Sequence, residues 1–403
     1  MLILYVIFFL VWFCINYKKY GMNGSSFLLL LFLVSSISSL ALLYYYKTYD
    51  SDRISVTAIL FHITCYTLFF SPVINFANTN IKSIQLPSER NLNIILYLII
   101  VLSLCTYVSS IPKIAHAFSF SNLSEARKLH NTGELSEDNT GGIIEYLGGI
   151  GQGLSFYALF LFFLIFSKKR KLNLILILLF LSSFAIVLSN MTMMGRDGIV
   201  RWILFFLFSY FCFKKSLGTK FSQKLVRYSV IPGLILLYIF YLISDSRFGE
   251  KDLGVEYSLI DYLGQSNIYF SYGFNQFMDG VAGGSINFSF ITGDRVSLNN
   301  LNEFVYANYH LNTFSSFVGS FYFDMGLVAT FVLAICTYIF LSIYRLIKKN
   351  DLTKLVVYLV LFEVYILGVF YYMFYGPTKV NTIALLIILT WATVFNSKVN
   401  FKK

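Results

Sequence analysis

The sequence predicts an all-α polytopic integral membrane protein with about eleven transmembrane helices and one large extracytoplasmic loop containing interfacial helices. Three observations carry that expectation. The 403-residue chain is 57% apolar and only 13% charged, with a mean hydropathy of +0.69, which is more apolar surface than one soluble core encloses. The apolar residues fall into runs, most of them close to the roughly 20 residues that cross a hydrocarbon core of about 30 Å. Between residues 244 and 312 the pattern stops, and that stretch is too polar to span a bilayer and too aromatic to resemble a disordered segment.

The runs lie at 2–16, 27–46, 54–76, 92–111, 143–166, 172–190, 198–213, 228–244, 313–343, 353–375 and 379–396. The first and seventh are short. Lipid offers no hydrogen-bond partner, so the backbone in these runs must be helical. Met1 opens directly into the first run, which ends at Tyr17-Lys18-Lys19 without a small-residue cleavage site. That is the pattern of an uncleaved first helix rather than a signal peptide.

Orientation follows from the basic residues. With the N-terminus outside and the C-terminus inside, 20 of the 31 Lys and Arg fall in inner segments, against two acids, Glu89 and Asp351. The outer segments hold the other 11 basic residues and 16 acids, and Asp324 and Glu363 lie within spans. The net charge of +11 therefore reports loop asymmetry rather than nucleic-acid binding. The chain reads as a single membrane domain, 1–403. Two outer segments are long. In 112–142, Asn122 and Glu125 form a capping box opening a short helix, Leu123 to His130. In 244–312, residues 256–277 read as an amphipathic helix lying on the membrane surface, followed by a turn at Gly280, Gly283 and Gly284. No internal repeat is evident, which weighs against a transporter built from repeats.

Several chemistries are excluded by pattern. The five cysteines lie in apolar runs without a C-x-x-C, there is no H-E-x-x-H, and there is no Walker-A lysine motif. No metal, cofactor or ATP-driven machine is implied. Gly149-Ile150-Gly151-Gln152-Gly153 signals close helix packing instead of a nucleotide loop.

The candidates for chemistry cluster on the outer side. Met194-Gly195-Arg196-Asp197-Gly198 predicts a tight turn between spans six and seven, with Arg201 one turn on and facing Asp197. An interfacial ion pair that only anchors the hairpin accounts for these residues, as does an anion site, because guanidinium forks grip phosphate bidentately. Arg247 in Asp245-Ser246-Arg247, Arg295 in Gly293-Asp294-Arg295, and Arg127 in the first long loop carry the same two readings. His310, at the mouth of span nine, titrates near neutrality and suits proton transfer, although a lone histidine also serves as a belt residue. His62, His116 and His130 have poorer contexts. Asp324 sits within span nine, where a charge costs roughly 2.5–3.5 kcal/mol on insertion scales. It is either a buried structural partner or a carboxylate lining a cavity. The aromatics of the large loop, Tyr269 and Tyr272 among them, suit sugar stacking or an interfacial belt.

The whole pattern resembles the bacterial O-antigen or oligosaccharide repeat-unit polymerases, the Wzy type. The likeness rests on ten or more spans, on two long outer loops of which the later is larger, and on arginines in both. The local matches are Gly195-Arg196-Asp197-Gly198 and Asn312-Thr313 followed by Tyr322-Phe323-Asp324-Met325-Gly326. The resemblance implies a glycosyltransferase without a nucleotide-sugar donor, in the bacterial cytoplasmic (inner) membrane. It would pass a glycan on undecaprenyl diphosphate to the next lipid-linked repeat. Its partners would be those lipid-linked glycans, membrane lipids, a chain-length regulator and a flippase, with no nucleic acid. It implies Arg196, Arg201, Arg247, Arg295 and Arg127 as diphosphate ligands, and His310, Asp324, Arg247 and Arg295 as catalytic groups. Tyr269, Tyr272, Asn312 and Tyr322 would contact sugar. A ligase of the same superfamily and a lipid-linked oligosaccharide flippase remain as alternatives.

Overall fold

The computed structural model describes residues 1–79, 81–117, 142–192, 195–248, 254–288, 315–347, 350–372, 382–387 and 390. The described helices are α1 (Ile3–Tyr20), α2 (Gly24–Leu40, extended by a π-turn, Ala41–Tyr45), α3 (Val56–Thr79), α4 (Glu89–Ala117), α5 (Ile143–Gly153), α6 (Ser155–Lys169) and α7 (Leu174–Ser182). They continue as α8 (Ala185–Met191), α9 (Asp197–Leu217), α10 (Thr219–Phe248), α11 (Gly254–Gly273), α12 (Ser316–Leu346) and α13 (Leu352–Leu367). The protein is all-helical among the described residues, as its composition requires.

Among the described residues, six helices are long and apolar enough to cross a membrane: Ile3–Tyr20, Gly24–Tyr45, Val56–Thr79, Glu89–Ala115, Leu174–Met191 and Ser316–Leu346. A seventh is added if α5 and α6, bent by 50°, count as one. Each coincides with a run read from the sequence. Of the other four runs, three coincide at least in part with helix, and 379–396 is described only at 382–387 and 390. α9 carries Asp197, Arg201, Lys214 and Lys215 among its 21 residues, and α13 has only 16. α10 holds a short apolar stretch at Gly233–Leu242, and 382–387 is a brief helical segment.

The chain divides into two compact units, Met1–Gln85 with Tyr257–Val380, and Leu86–Glu256 with Asn381–Lys403. In the first unit, aromatic rings fill the core between helices. Tyr66 and Phe70 of α3 pack on Phe9 of α1, Phe32 of α2 and Phe317 of α12, with centroids 4.9–5.9 Å apart across helices. At one end the α1–α2 turn is pinned to the end of α3: Asn16 donates to Ser25 and Ser26, and Asn78 donates back to Asn16 at 2.8 Å. There, too, Asn350 donates to Ser83 at 2.7 Å. At the other end the 46–55 loop grips α11. Tyr49 donates to Asp261 and Tyr272 to the Asp50 carbonyl, both at 2.7 Å.

α11 packs along α2. Gly264 lies so close that an added Cβ would sit 2.6 Å from the Ser38 backbone. Ser35 and Ser39 donate to the Leu263 and Gly264 carbonyls at 2.7 Å, and Asn267 donates to Ser39 at 3.0 Å. Residues 264–268 are all buried. The amphipathic helix expected on the membrane surface thus uses its polar residues between helices. Small serines on α2 permit the approach, as at many helix contacts in lipid.

The long helix α12 is broken at Gly326, whose φ of 83° and ψ of −177° are non-helical. The break frees backbone groups that an apolar setting must satisfy. The segment after α11 does so: Val281 and Ala282 donate to the Phe323 and Asp324 carbonyls at 2.8 and 3.1 Å, and Leu327 donates to the Met278 carbonyl at 2.8 Å.

In the second unit, α5 lies against α4 through Gly148 and Gly151. A Cβ on Gly151 would fall 2.2 Å from the Leu102 carbonyl oxygen, and Thr106 donates to the Gly148 carbonyl at 2.7 Å. The glycine run packs helices as expected, with Gly148 and Gly151 making this contact while Gly153 faces Thr382. One end of the unit holds the Glu89–Lys169 ion pair at 2.6 Å, and the other holds Lys113–Glu145 at 2.6 Å.

Gly326→Ala is expected to destabilise the protein by more than the roughly 1–3 kcal/mol of a glycine-only backbone conformation, because its Cβ would lie 2.5 Å from the Met278 carbonyl oxygen. Gly218→Ala has a φ of 78° with nothing within 4 Å and is the strain-only control. Thermal unfolding in detergent compares them; equal losses would mean that the close contact at Gly326 contributes nothing.

Candidate functional site

The hairpin from α8 into α9 forms as its glycines predict. Gly195 donates to the Asn190 carbonyl at 2.9 Å, and a Cβ on Gly198 would meet the Ile186 carbonyl oxygen at 2.5 Å. Arg196 is the N-cap residue of α9 and is only 7% exposed. Its guanidinium lies 5.5 Å from the Phe240 ring centroid on α10, an arrangement that suits a planar cation. Asp197 forms an ion pair with Arg201, one turn on. The adjacent carboxylate is thus engaged by Arg201, while Arg196 stands at the positive end of a 21-residue helix. Arg247 lies in the last turn of α10, seven residues beyond Phe240. Arg127, Arg295, His310 and Asn312 lie outside the described residues.

Asp324 has no exposed surface. Its carboxylate accepts from Gly284 N at 3.0 Å, and from both Asn287 N and Asn287 Nδ2 at 2.8 Å. It fastens the 284–287 turn onto α12, next to the break at Gly326. That is the structural reading of this residue, and three bonds occupy most of a carboxylate's acceptor sites. Tyr322 is buried and donates to the Phe274 carbonyl, so its hydroxyl serves the same clasp. Glu363, the other acid read within a span, is buried on α13.

Tyr269 and Tyr272 are half-buried beside the 46–55 loop. Tyr49 packs edge-on to both, with centroids 5.6 and 6.4 Å away. Burial raises the Asp261 carboxyl above its usual value, and the Tyr49 bond opposes that shift. Arg53, exposed, places its guanidinium 4.4 Å from the Tyr272 centroid. Sequence reading passed over Arg53, although an arginine in a short outer segment was the available signal.

It also set His62 aside as having a poorer context. This histidine is fully buried on α3 and is hydrogen-bonded on both ring nitrogens, Nδ1 to Tyr5 at 2.7 Å and Nε2 to Ser316 at 2.8 Å. It is stacked on Tyr66 and Phe270 at 4.2 and 4.0 Å. Ser316 takes a left-handed φ of 66°, uncommon for a residue with a side chain. Its N–H reaches the Phe370 carbonyl at 2.9 Å, and the Phe317 N–H reaches the Gly368 carbonyl at 2.8 Å. The orphan donors at the start of α12 therefore meet carbonyls of the cap and turn that follow α13. His62 locks that junction to α3 and α1.

Comparison with protein-family models, with curated proteins and with solved structures returns no match.

Two substitutions test these assignments. Asp324→Asn turns an acceptor into a donor facing the Asn287 N–H groups, at about 1–3 kcal/mol for each buried group left unsatisfied. Faster amide hydrogen exchange across 281–287 is the expected readout, and unchanged exchange there would count against the clasp. His62→Phe keeps the ring stack but leaves the Tyr5 and Ser316 hydroxyls buried without their bonds to it. A drop in thermal midpoint is expected, and an unchanged midpoint would remove His62 from the junction.

Proposed function

We propose that the protein is a lipid-linked oligosaccharide polymerase of the Wzy type, acting on the outer face of a bacterial cytoplasmic membrane. In this reading eleven helices cross the bilayer, N-terminus out and C-terminus in. Loops that the reading assigns to one side are hydrogen-bonded together within the first unit: 16–26 with Asn78 and Ser83 with Asn350 at inner ends, 46–55 with α11 at an outer end. That agreement supports the alternation.

The observation that carries the reading is the burial of the Arg196 guanidinium at the N-terminus of α9, over Phe240, beside the Arg201–Asp197 pair. The outer segments are where a charge excess is least expected, so a guanidinium held there in a low-dielectric site suits a ligand with phosphate oxygens. The acceptor hydroxyl of one lipid-linked repeat attacks the anomeric carbon of the glycan on another. The carbon–oxygen bond to the diphosphate breaks, and undecaprenyl diphosphate leaves with the electron pair. Arg196, with Arg247, Arg295 and Arg127, stabilises charge on that leaving group, and His310 takes the hydroxyl proton. Arg201, engaged with Asp197, holds the hairpin that presents Arg196. Asp324 contributes by shaping the 278–287 segment. Tyr269 and Tyr272 offer ring faces to sugar, while the buried Tyr322 holds the clasp rather than substrate.

Arg196→Lys keeps the charge and loses the fork. In cells lacking the native gene, long glycan chains are expected to disappear while single repeats still reach the surface, with the protein present in the membrane. Glycan laddering on a gel reads both. Loss of the single-repeat band together with the ladder would point to transport, and an intact ladder would remove Arg196 from the site.

A further inference from the structure

The second unit carries a strongly basic patch at the end of α9 opposite Arg196. Lys168, Lys169, Arg170 and Lys171 lie at the end of α6 and in the connection to α7, and Lys214 and Lys215 lie in the last turn of α9. All six are exposed. The fold joins these two runs: Arg170, in a left-handed conformation with φ of 50°, donates from Nη2 to the Ser216 carbonyl at 3.4 Å. Lys169 is engaged by Glu89 at 2.6 Å, and Lys214 lies 5.9 Å from the Phe211 ring centroid. Six cations thus gather at two helix C-termini with Glu89 as the acid paired among them. Lysines at such ends are favoured by the helix dipoles, which explains why they are tolerated but not why two distant runs are tied together.

The patch has an apolar continuation. Leu174, Ile177 and Leu181 share one face of α7, at spacings of three and four residues, and are 69%, 47% and 48% exposed. Leu172, in the basic connection itself, is 50% exposed. An exposed stripe about 10 Å long therefore starts where the cations end, given the 1.5 Å rise per helical residue. A nucleic acid or an acidic protein surface would match the charge and leave the stripe uncovered. An amphiphile matches both.

We propose that this junction is a binding site for an anionic phospholipid. The headgroup phosphate sits among Lys168, Lys171, Lys214 and Lys215, and an acyl chain lies along Leu174, Ile177 and Leu181. Clustered Lys and Arg beside an apolar helix attract anionic headgroups over zwitterionic ones. The assignment is independent of the glycan reading.

Native mass spectrometry of the full-length protein in a nonionic detergent, titrated with cardiolipin or with phosphatidylcholine, tests it. The variant K168Q/K171Q/K214Q/K215Q keeps Lys169 and Arg170, which hold the loops together. Its cardiolipin Kd is expected to rise at least about ten-fold, with phosphatidylcholine binding unchanged and the K18Q/K19Q control within about two-fold of the native protein. An unchanged cardiolipin Kd in the four-site variant would overturn the proposal. So would displacement of cardiolipin by inorganic pyrophosphate at equal phosphate concentration, which would assign the patch to a soluble anion. A second measurement needs no variant. Bound cardiolipin should protect Lys171, Lys214 and Lys215 from acetylation by an amine reagent at least about three-fold relative to Lys18 and Lys19. Equal labelling with and without cardiolipin would overturn the site even if the variant failed to fold.

Discussion

Backbone hydrogen bonds that water cannot supply are the constraint on which this molecule turns. An apolar helix is stable in such a setting because every N–H and C=O finds its partner within the helix. α12 breaks that rule at Gly326, and the segment 278–287 exists in its observed form because of the break. Val281, Ala282 and the Met278 carbonyl complete the broken ladder. The Asp324 carboxylate then takes the N–H groups of Gly284 and Asn287, which the turn itself leaves open. Each group in the clasp is another group's solution. These donors make an acidic side chain tolerable at this position, since a carboxylate bonded to several N–H groups is far less unfavourable inside a protein than a bare one.

The same constraint governs the junction of α12 with α13. The first N–H groups of one helix meet carbonyls of the cap and turn that follow the other, at Phe370 and Gly368. Neither end needs water. The arrangement forces Ser316 into the left-handed region, and the bond from His62 to its hydroxyl helps hold it there. A neutral imidazole suits the role because its two nitrogens serve one hydroxyl each, on α1 and on α12. The aromatic rings around it add packing without competing for those bonds.

The broad architecture was legible in the sequence because bilayer physics writes it in runs of apolar residues. The six long apolar helices fall on runs read from composition, and the turn at Gly195–Gly198 and the pairing of Asp197 with Arg201 follow from local spacing. The contacts that shape the structure did not follow. Gln265, Ser266 and Asn267 are polar, and a polarity count assigns them to a wet helix face; in the structure all three are buried, and Asn267 bonds to α2. The serines of α2, Ser35 and Ser39, look like interruptions in an apolar run until Gly264 is placed against them. His62 had no sequence neighbour to mark it, because its partners are 57 and 254 residues away. Pairings of that range are set by packing, which local pattern does not encode.

Three described arginines are sorted by their surroundings. Arg201 is committed to Asp197. Arg53 is exposed and leans on Tyr272, where water competes for every donor it has. Arg196 alone of these three is buried, and it stands at a helix N-terminus over an aromatic ring. A guanidinium stays charged wherever it is placed, so removing it from water is unfavourable unless an anion, a dipole or a π-face compensates. Phe240 supplies the π-face. The N-terminus of α9 is itself positive and would repel Arg196, which makes the position worse for a cation and better for an anion bridging both. The phosphate ligand proposed above would meet the guanidinium and the first N–H groups of α9 together.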